Sequence, residues 1–298
     1  MAGMKQILIL SDFSKKAQHA AEYALNLAVK FKADLLQFHG FDLANNDKEN
    51  SFNWRLKEYF EAEDYCKMHL QQLKDMLELR YAETYTQLYK PSIGYFCKEA
   101  NRGQLGPEIK DFIHQKGIWL VVMGAKAEDS LSNFIFGTNT YSVLSTIHRP
   151  ILLVPQKAPI KTPQKIAIAA DFQDNEYSPL LLLREFKETF DSDIVITHIP
   201  SELATVGQQT TEVAEYDAVR SREVKRVSFT DIYGNDLDND LIQFALKSKI
   251  DLLGLVYSKE NLYQWIYNSD LTSLLTENSQ LPLLVFPDSF NLKDYEST

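Results

Sequence analysis

Cysteine is scarce in this chain. Cys66 and Cys97 are two residues in 298, and their spacing fits neither a metal motif nor a disulfide framework, which points to a reducing, cytoplasmic setting. Long apolar runs are missing: none approaches the roughly 20 residues needed to span a bilayer, so no membrane association is expected. The opening Met1-Ala2-Gly3-Met4 lacks the charged and apolar regions of a signal peptide. Runs of Lys and Arg are also missing, and the net charge is −10. That excludes broad binding to nucleic acid backbones, which requires a basic face. Catalytic signatures are lacking too. There is no nucleophile with a paired base, no phosphate loop ending in Gly-Lys-Ser or Gly-Lys-Thr, and no His-Glu-x-x-His zinc motif. An efficient hydrolase is therefore not expected.

What is present is globular composition, 45% hydrophobic and 24% charged, at a length suited to two domains. The chain also repeats itself. Ile7-Leu8-Ile9-Leu10 running into Ser11-Asp12-Phe13 returns as Ile166-Ala167-Ile168-Ala169 running into Ala170-Asp171-Phe172, an offset of 159. Asp34 to His39 returns as Asp193 to His198 at the same offset. Later landmarks shift to 132: Phe112 with Phe244, Ile118 with Ile250, and Pro150-Ile151-Leu152-Leu153-Val154-Pro155 with Pro282-Leu283-Leu284-Val285-Phe286-Pro287. The second copy is thus 27 residues shorter between His39 and Phe112. There the first copy carries a long amphipathic helix over Trp54 to Arg80, with Leu56, Tyr59, Cys66, Leu70, Leu73 and Leu77 on one face. The matching stretch, Ser201 to Arg220, is short and polar, and mobility is expected of it. Residues 156–163, with two prolines, two lysines and no apolar period, read as a linker. The expected division is a first domain over 1–155, this linker, and a second, degenerate domain over 164–298.

Within the first copy, short apolar runs alternate with helical patterns. Strands are expected at Ile7–Leu10, Leu35–Phe38, somewhere in Tyr85–Cys97, at Trp119–Met123 and at Ile151–Val154. Helices are expected at Ala17–Phe31, at Glu108–Gln115 after Gly106-Pro107, and at Thr138–His148. Such alternation predicts an α/β fold: two tandem, doubly wound, parallel five-stranded sheets. Ligands of such sheets bind at the carboxyl ends of strands where the strand order reverses. The candidate positions are Ser11-Asp12, His39-Gly40 and Gly124.

The fourth strand runs into Met123-Gly124-Ala125-Lys126-Ala127, then, after nine residues, Gly137-Thr138-Asn139. A glycine leaving a strand lets the backbone approach a phosphate closely. Gly137-Thr138 at a helix start offers free N–H groups, a favourable dipole and a hydroxyl. This pattern, with Ile7 to Asp12 and Arg149 to Pro155, resembles the universal stress protein family. The resemblance covers nearly all of the first copy and the strands of the second. It implies a Rossmann-like fold of the adenine nucleotide alpha hydrolase type, a role in the stress response, and a site for ATP or AMP, with magnesium as an accompanying ion. Asp12, beside Ser11, would close the base pocket. Met123 and Gly40 would line base and ribose. Gly124, Ala127, Gly137, Thr138 and Asn139 would hold the phosphates. The family's second glycine is Ala127 here, and Glu128 and Asp129 follow it, with Lys126 as a partial offset. Slow ATP hydrolysis at such a site is left open. The resemblance further implies that Ile151–Val154 and Leu283–Phe286 pair within the chain as a built-in dimer, with further self-association and unidentified protein partners left open.

At an offset of 132, the second copy places Val256, Lys259, Ser269 and Asp270 where the first has Gly124, Ala127, Gly137 and Thr138, and Tyr257 to Leu271 contains no glycine. That copy is expected to be structural. Plainer readings stand beside the sharp ones. Asp171 caps a helix, and Asp12 either caps one or meets the ligand. His39 and His198 are structural, because metal partners are missing. His148 and Arg149 close a helix whose dipole favours positive charge. Asp236 to Asp240 fails the calcium pattern at Leu241 and Lys247 and becomes a turn before a helix over Leu241–Leu246. Tyr263, Trp265 and Tyr267 pack in the core or an interface. The alternative to a nucleotide-responsive regulator is a ligand-free interaction scaffold on the same fold.

Overall fold

The computed structural model describes residues 4–43, 52–86, 88–100, 104–125, 138–170, 177–198, 226–232, 237–257, 280–287 and 289–291. The first half is β1 (Gln6–Leu10), α1 (Lys15–Phe31), β2 (Asp34–Phe41), α2 (Phe52–Thr84), β3 (Ile93–Glu99), α3 (Leu105–Gln115), β4 (Ile118–Gly124), α4 (Thr138–Thr146) and β5 (Ile151–Val154). The second half is β6 (Lys165–Ala170), α5 (Tyr177–Phe190), β7 (Asp193–His198), β8 (Val227–Asp231), α6 (Leu237–Lys247), β9 (Leu252–Tyr257) and β10 (Leu283–Pro287).

The ten strands form one sheet in the order β3-β2-β1-β4-β5-β10-β9-β6-β7-β8. Each half is parallel and doubly wound, and the halves meet where β5 and β10 run antiparallel. The expected pairing of these two strands is present, with Leu153 opposite Leu283 and Leu152 opposite Leu284. Register repeats between the halves as well. Gln6 pairs with Asp34 as Lys165 pairs with Asp193, Ile7 with Leu120 as Ile166 with Leu252, and Val121 with Ile151 as Leu253 with Leu283. These pairs reproduce the sequence offsets of 159 and 132. The third strands align at 134, since Leu35 pairs with Ile93 and Ile194 with Val227. So 25 of the 27 missing residues fall between the second and third strands, where α2 belongs, and two fall after the third strand.

Central strands are apolar because both faces are covered. On one face α1 and α5 lay Ala20, Ala24, Leu27, Leu182 and Phe186 against Ile7, Ile9, Val122 and Leu284. On the other α3, α4 and α6 lay Ile109, Val143, Leu144 and Leu241 against Leu8, Val121, Leu153 and Leu283. Alanines on α1 let it sit close to the sheet. It starts at N-cap Ser14, whose hydroxyl accepts from the Ala17 N–H at 3.3 Å, and stops at Lys32, which is left-handed with φ 53°.

The joint between halves is dense. Phe31 stacks within 4.7–5.0 Å of Trp119, Phe186 and Phe190. Lys5 pairs with Glu185 at 2.6 Å and lies 4.6 Å over the Trp119 ring. The expected linker is tied down: the Ala158 carbonyl accepts from His19 Nε2 at 2.7 Å. Asp251 accepts from the Gln164 and Lys165 N–H groups at 2.9 and 3.0 Å and pairs with Lys161 at 2.5 Å. Burial alone would raise the Asp251 carboxyl, but these three partners outweigh it and hold it below the usual carboxylate range.

Several expectations are corrected. Leu56 does not join the buried face of α2; it is 38% exposed, whereas Cys66, Leu70 and Leu77 are fully buried. From Tyr59 onward the apolar side chains of α2 join the clusters that hold residues of β2 and β3. Helix α4 ends at Thr146, so His148 and Arg149 do not close it. His148 instead bonds Ser289 Oγ at 2.6 Å, beyond β10, and Arg149 is buried. Helix α3 begins at Leu105 rather than Glu108, and Gly106 in its first turn packs against α4 so tightly that a Cβ would lie 2.0 Å from the Ser142 carbonyl oxygen.

Candidate functional site

The strand order reverses between β1 and β4, and there the carboxyl ends of β1, β2 and β4 open a cleft of about 240 Å³. Its lining includes Ser11, Asp12, Gly40, Met123, Gly124 and Asn139, six of the nine residues expected from the sequence. Thr138 opens α4 next to them. Ala127 and Gly137 lie outside the described residues, as do Asp171, Ser201 to Arg220, Asp236, Lys259, Tyr263, Trp265, Tyr267, Ser269 and Asp270.

Each position has a local cause. Ser11 leaves β1 with its N–H donating to the Phe38 carbonyl at 2.9 Å, and its hydroxyl accepts from the Phe13 N–H at 3.1 Å. Asp12 is not the helix cap. Its carboxylate accepts from the N–H of Ser14 at 3.1 Å and from the Ser14 hydroxyl, so it braces the residue that is the cap. Its other oxygen lies 3.9 Å from the Lys16 ammonium. The carboxylate is still 61% exposed, which leaves it available to a donor in the cleft. Gly40 is small because Ala100 and Leu105 crowd it; a Cβ there would come within 2.8 Å of the Ala100 Cβ.

Gly124 has an added reason to be glycine. A Cβ would lie 2.8 Å from both the backbone carbon and oxygen of Lys16 and 3.0 Å from the Ala17 nitrogen. Its bareness lets the first turn of α1 press against the end of β4, and Gly124, Lys16 and Ala17 all line the cleft. In the second half the equivalent sheet position is Val256, opposite Phe286 as Gly124 is opposite Val154, and its side chain packs into the apolar core.

Sequence reasoning set aside His39 and did not single out Lys16, Ala17, Phe38, Leu105 or Thr140, all of which line the cleft. His39 Nδ1 donates to the Ser11 carbonyl at 2.7 Å. Burial lowers its pKa, and so does nearby His69, against the opposing pull of the Ser11 carbonyl and Asp12. The His39 ring lies 4.1 Å from Phe13, which lies 5.1 Å from His69, itself 4.0 Å from Tyr65. Phe13 has φ 62°, a strained value for a non-glycine residue, and this sandwich holds it there. A second cavity of about 200 Å³, lined by Ser11, Phe13, Gln18, His69, Gln72 and Met76, lies behind the same turn. Among the described residues no group of three or more His, Cys, Asp or Glu could hold a metal. None of the described helices is long and apolar enough to cross a membrane.

The arrangement offers a carboxylate, hydroxyls, small apolar walls, one lysine and the starting turns of α1 and α4. That set suits a small molecule with donor groups at one end and negative charge at the other.

Comparison with known proteins bears on the family and the fold. The model of the universal stress protein family matches residues 3–155. A universal stress protein of Archaeoglobus fulgidus, solved by crystallography, superimposes with a TM-score of 0.67 at 12% identity, covering 95% of this chain and 98% of that one. A Pseudomonas aeruginosa protein of unknown function superimposes with a TM-score of 0.56 at 13% identity, covering 96% and 93%. No curated protein matches the chain in sequence. At these identities the solved structures speak for the fold, and they do so over both halves.

Proposed function

The chain belongs to the universal stress protein family, and from that premise we propose that it is a stress-response regulatory protein whose first half binds an adenine nucleotide, ATP or AMP. One observation carries this reading: Ser11, Asp12, Gly40, Met123, Gly124 and Asn139, from four separate elements, line one cleft at the point of strand reversal. In this reading Asp12 accepts from the exocyclic amine of adenine. Phe38, Met123 and Leu105 supply the apolar wall for the base. Gly124, Ala127, Gly137, Thr138 and Asn139 cradle the phosphates, with magnesium as an accompanying ion. Residues 1–155 form the binding domain and 164–298 its structural partner. Binding shifts the population of an assembly and does not drive a reaction. The protein acts in the cytoplasm through self-association or protein partners.

Val256 favours a second reading for the other half. Its packed side chain stands where a nucleotide site needs bare backbone, so that half serves as scaffold in either case. If the first half is also scaffold, the whole chain is a docking body without a ligand. The purified protein is denatured and any released nucleotide identified by mass spectrometry, before and after incubation with ATP and magnesium. About one adenine nucleotide per chain, lost in Gly137→Asp, supports the binding reading. No nucleotide, and a melting temperature unmoved by millimolar ATP, overturns it in favour of the scaffold.

A further inference from the structure

The two cysteines of the chain meet in the fold. Cys66 lies on α2 and Cys97 on β3, 31 positions apart in sequence, yet both belong to the apolar cluster that holds Phe41, Leu43 and Leu70. Their thiols share a hydrogen bond, so the two sulfurs are in contact. Both are free, Cys66 completely buried and Cys97 half-buried. The second half sharpens the pairing. There β7 and β8 repeat the β2–β3 pair, with His198 opposite Asp231 as His39 is opposite Cys97. That copy also lacks the length that α2 occupies, and it contains no cysteine. Where the helix is lost, both cysteines are lost with it. A small apolar side chain would fill either place in the cluster; what two sulfurs in contact add is chemistry.

We infer that Cys66 and Cys97 are a redox pair that hydrogen peroxide converts into a disulfide, fastening α2 to β3. The inference stands apart from the nucleotide reading. In the first step Cys97 loses its proton and the thiolate attacks one oxygen of the peroxide. The O–O bond breaks, Cys97 becomes a sulfenic acid, and the other oxygen leaves as hydroxide and takes up the proton as water. In the second step the Cys66 sulfur attacks the Cys97 sulfur and expels the hydroxyl, which leaves with the Cys66 proton as a second water. Two thiols are oxidised and one peroxide is reduced to two waters. Exposure sets the order of the partners. Cys66 is covered completely and burial pushes its thiol up, so it resolves the sulfenic acid and does not start the reaction. Burial raises Cys97 as well and Glu63 adds to it, against the hydrogen bond from Cys66 and the Lys67 ammonium. The first step is therefore slow, and it suits an oxidant small enough to reach a half-buried sulfur. The bond also fixes the wall behind the Phe13 turn, because Tyr65 and His69 flank Cys66 on α2 and pack toward the Phe13 ring.

The test holds the reduced full chain with excess hydrogen peroxide in mildly alkaline buffer. Quenched samples are digested without reductant and mapped by mass spectrometry. The expected product is a peptide pair linked through Cys66 and Cys97, short of two hydrogen atoms and separated again by dithiothreitol. Oxidised glutathione, a much larger oxidant, is expected to form it far more slowly. Cys66→Ser leaves Cys97 without its resolving partner, so its sulfenic acid should persist and be trapped by dimedone, whereas wild type gives little of that adduct. The linked chain should melt several degrees above the reduced one, since the bond closes a loop in the unfolded state. Oxygen added to Cys97 in wild type without a linked peptide overturns the inference. So does a main product in which two chains are joined, and so do two thiols still reduced after the same treatment. A linked chain that melts no higher than the reduced one overturns the fastening role, by showing a bond made at the expense of the packing. Equal rates with oxidised glutathione overturn the choice of a small peroxide as the oxidant.

Discussion

Leu153 of β5 lies opposite Leu283 of β10, and both side chains are completely buried. Around this pair two parallel half-sheets become one sheet of ten strands. An unpaired β5 and an unpaired β10 would each leave an apolar edge open to other chains. Leu153 also pairs with Met123 on β4, so its strand is interior on both sides. Leu153→Pro removes a backbone donor from an interior strand, which costs about 3 kcal/mol or more. The expected drop in melting temperature is on the order of 10 °C. An unchanged melting temperature would show that the seam does not hold the halves together.

Gly124 and Gly254 offer a matched pair of tests. A Cβ at Gly124 meets the Lys16 and Ala17 backbone at 2.8–3.0 Å, whereas at Gly254 the nearest atoms are at 3.4 Å. Gly124→Ala therefore forces the first turn of α1 away from β4, at about 1–3 kcal/mol. Gly254→Ala is expected to be close to neutral. Thermal melts with and without millimolar ATP separate the two effects. Gly124→Ala should melt lower and lose any ATP-dependent rise, while Gly254→Ala keeps both. Equal behaviour of the two variants would remove the close-approach argument for Gly124.

The strands were legible because parallel strands covered on both faces must be written as apolar runs, as Ile7 to Leu10 and Ile151 to Val154 are. The repeat was legible because the register of those strands copies over unbroken. The cleft residues that a backbone requirement fixes, such as Gly124, could be found from spacing alone. Residues brought in by packing could not. Lys16 reads in sequence as one of two lysines at a helix start. His39, Phe13 and His69 read as unrelated, since 30 residues separate His39 from His69 and nothing in either neighbourhood encodes their stack. Leu56 misled because a helical period says which residues share a face, not how far along the sheet extends beneath it.

Asp251 gives the tie between the linker and the second half a pH dependence. Its carboxyl is held below the usual range by Lys161 and the N–H groups of Gln164 and Lys165 despite the opposing effect of burial. A carboxyl with a depressed folded pKa adds stability that is fully present above its unfolded value, about 3.9. That stability is lost as pH falls through the folded value. Wild type should therefore melt well above Asp251→Asn at pH 6–7, and the gap should narrow steadily below about pH 4. Melting curves of both proteins between about pH 2 and 7 check this. A gap that stays constant or widens in acid would contradict the assigned partners.

Cys66 on α2 and Cys97 on β3 meet within one apolar cluster, although 31 positions separate them in sequence. Both thiols are free. Burial raises the Cys66 pKa first of all, and its hydrogen bond to Cys97 adds to that rise. Burial raises Cys97 as well, while the bond from Cys66 partly offsets the effect. Since the thiolate is the reactive form, the folded protein should be alkylated slowly by iodoacetamide at pH 8, with Cys97 ahead of fully buried Cys66. Unfolding in urea should bring both to the rate of an ordinary thiol, and mass spectrometry of quenched time points distinguishes the two sites. The order of labelling reports the packing directly. A reagent reaching Cys66 first would require α2 to lift from β3, because in the packed state the helix itself covers that sulfur. Rates in the folded state that match those in urea would mean that α2 does not hold its place on the sheet, and the wall it builds behind Phe13 and His69 would go with it.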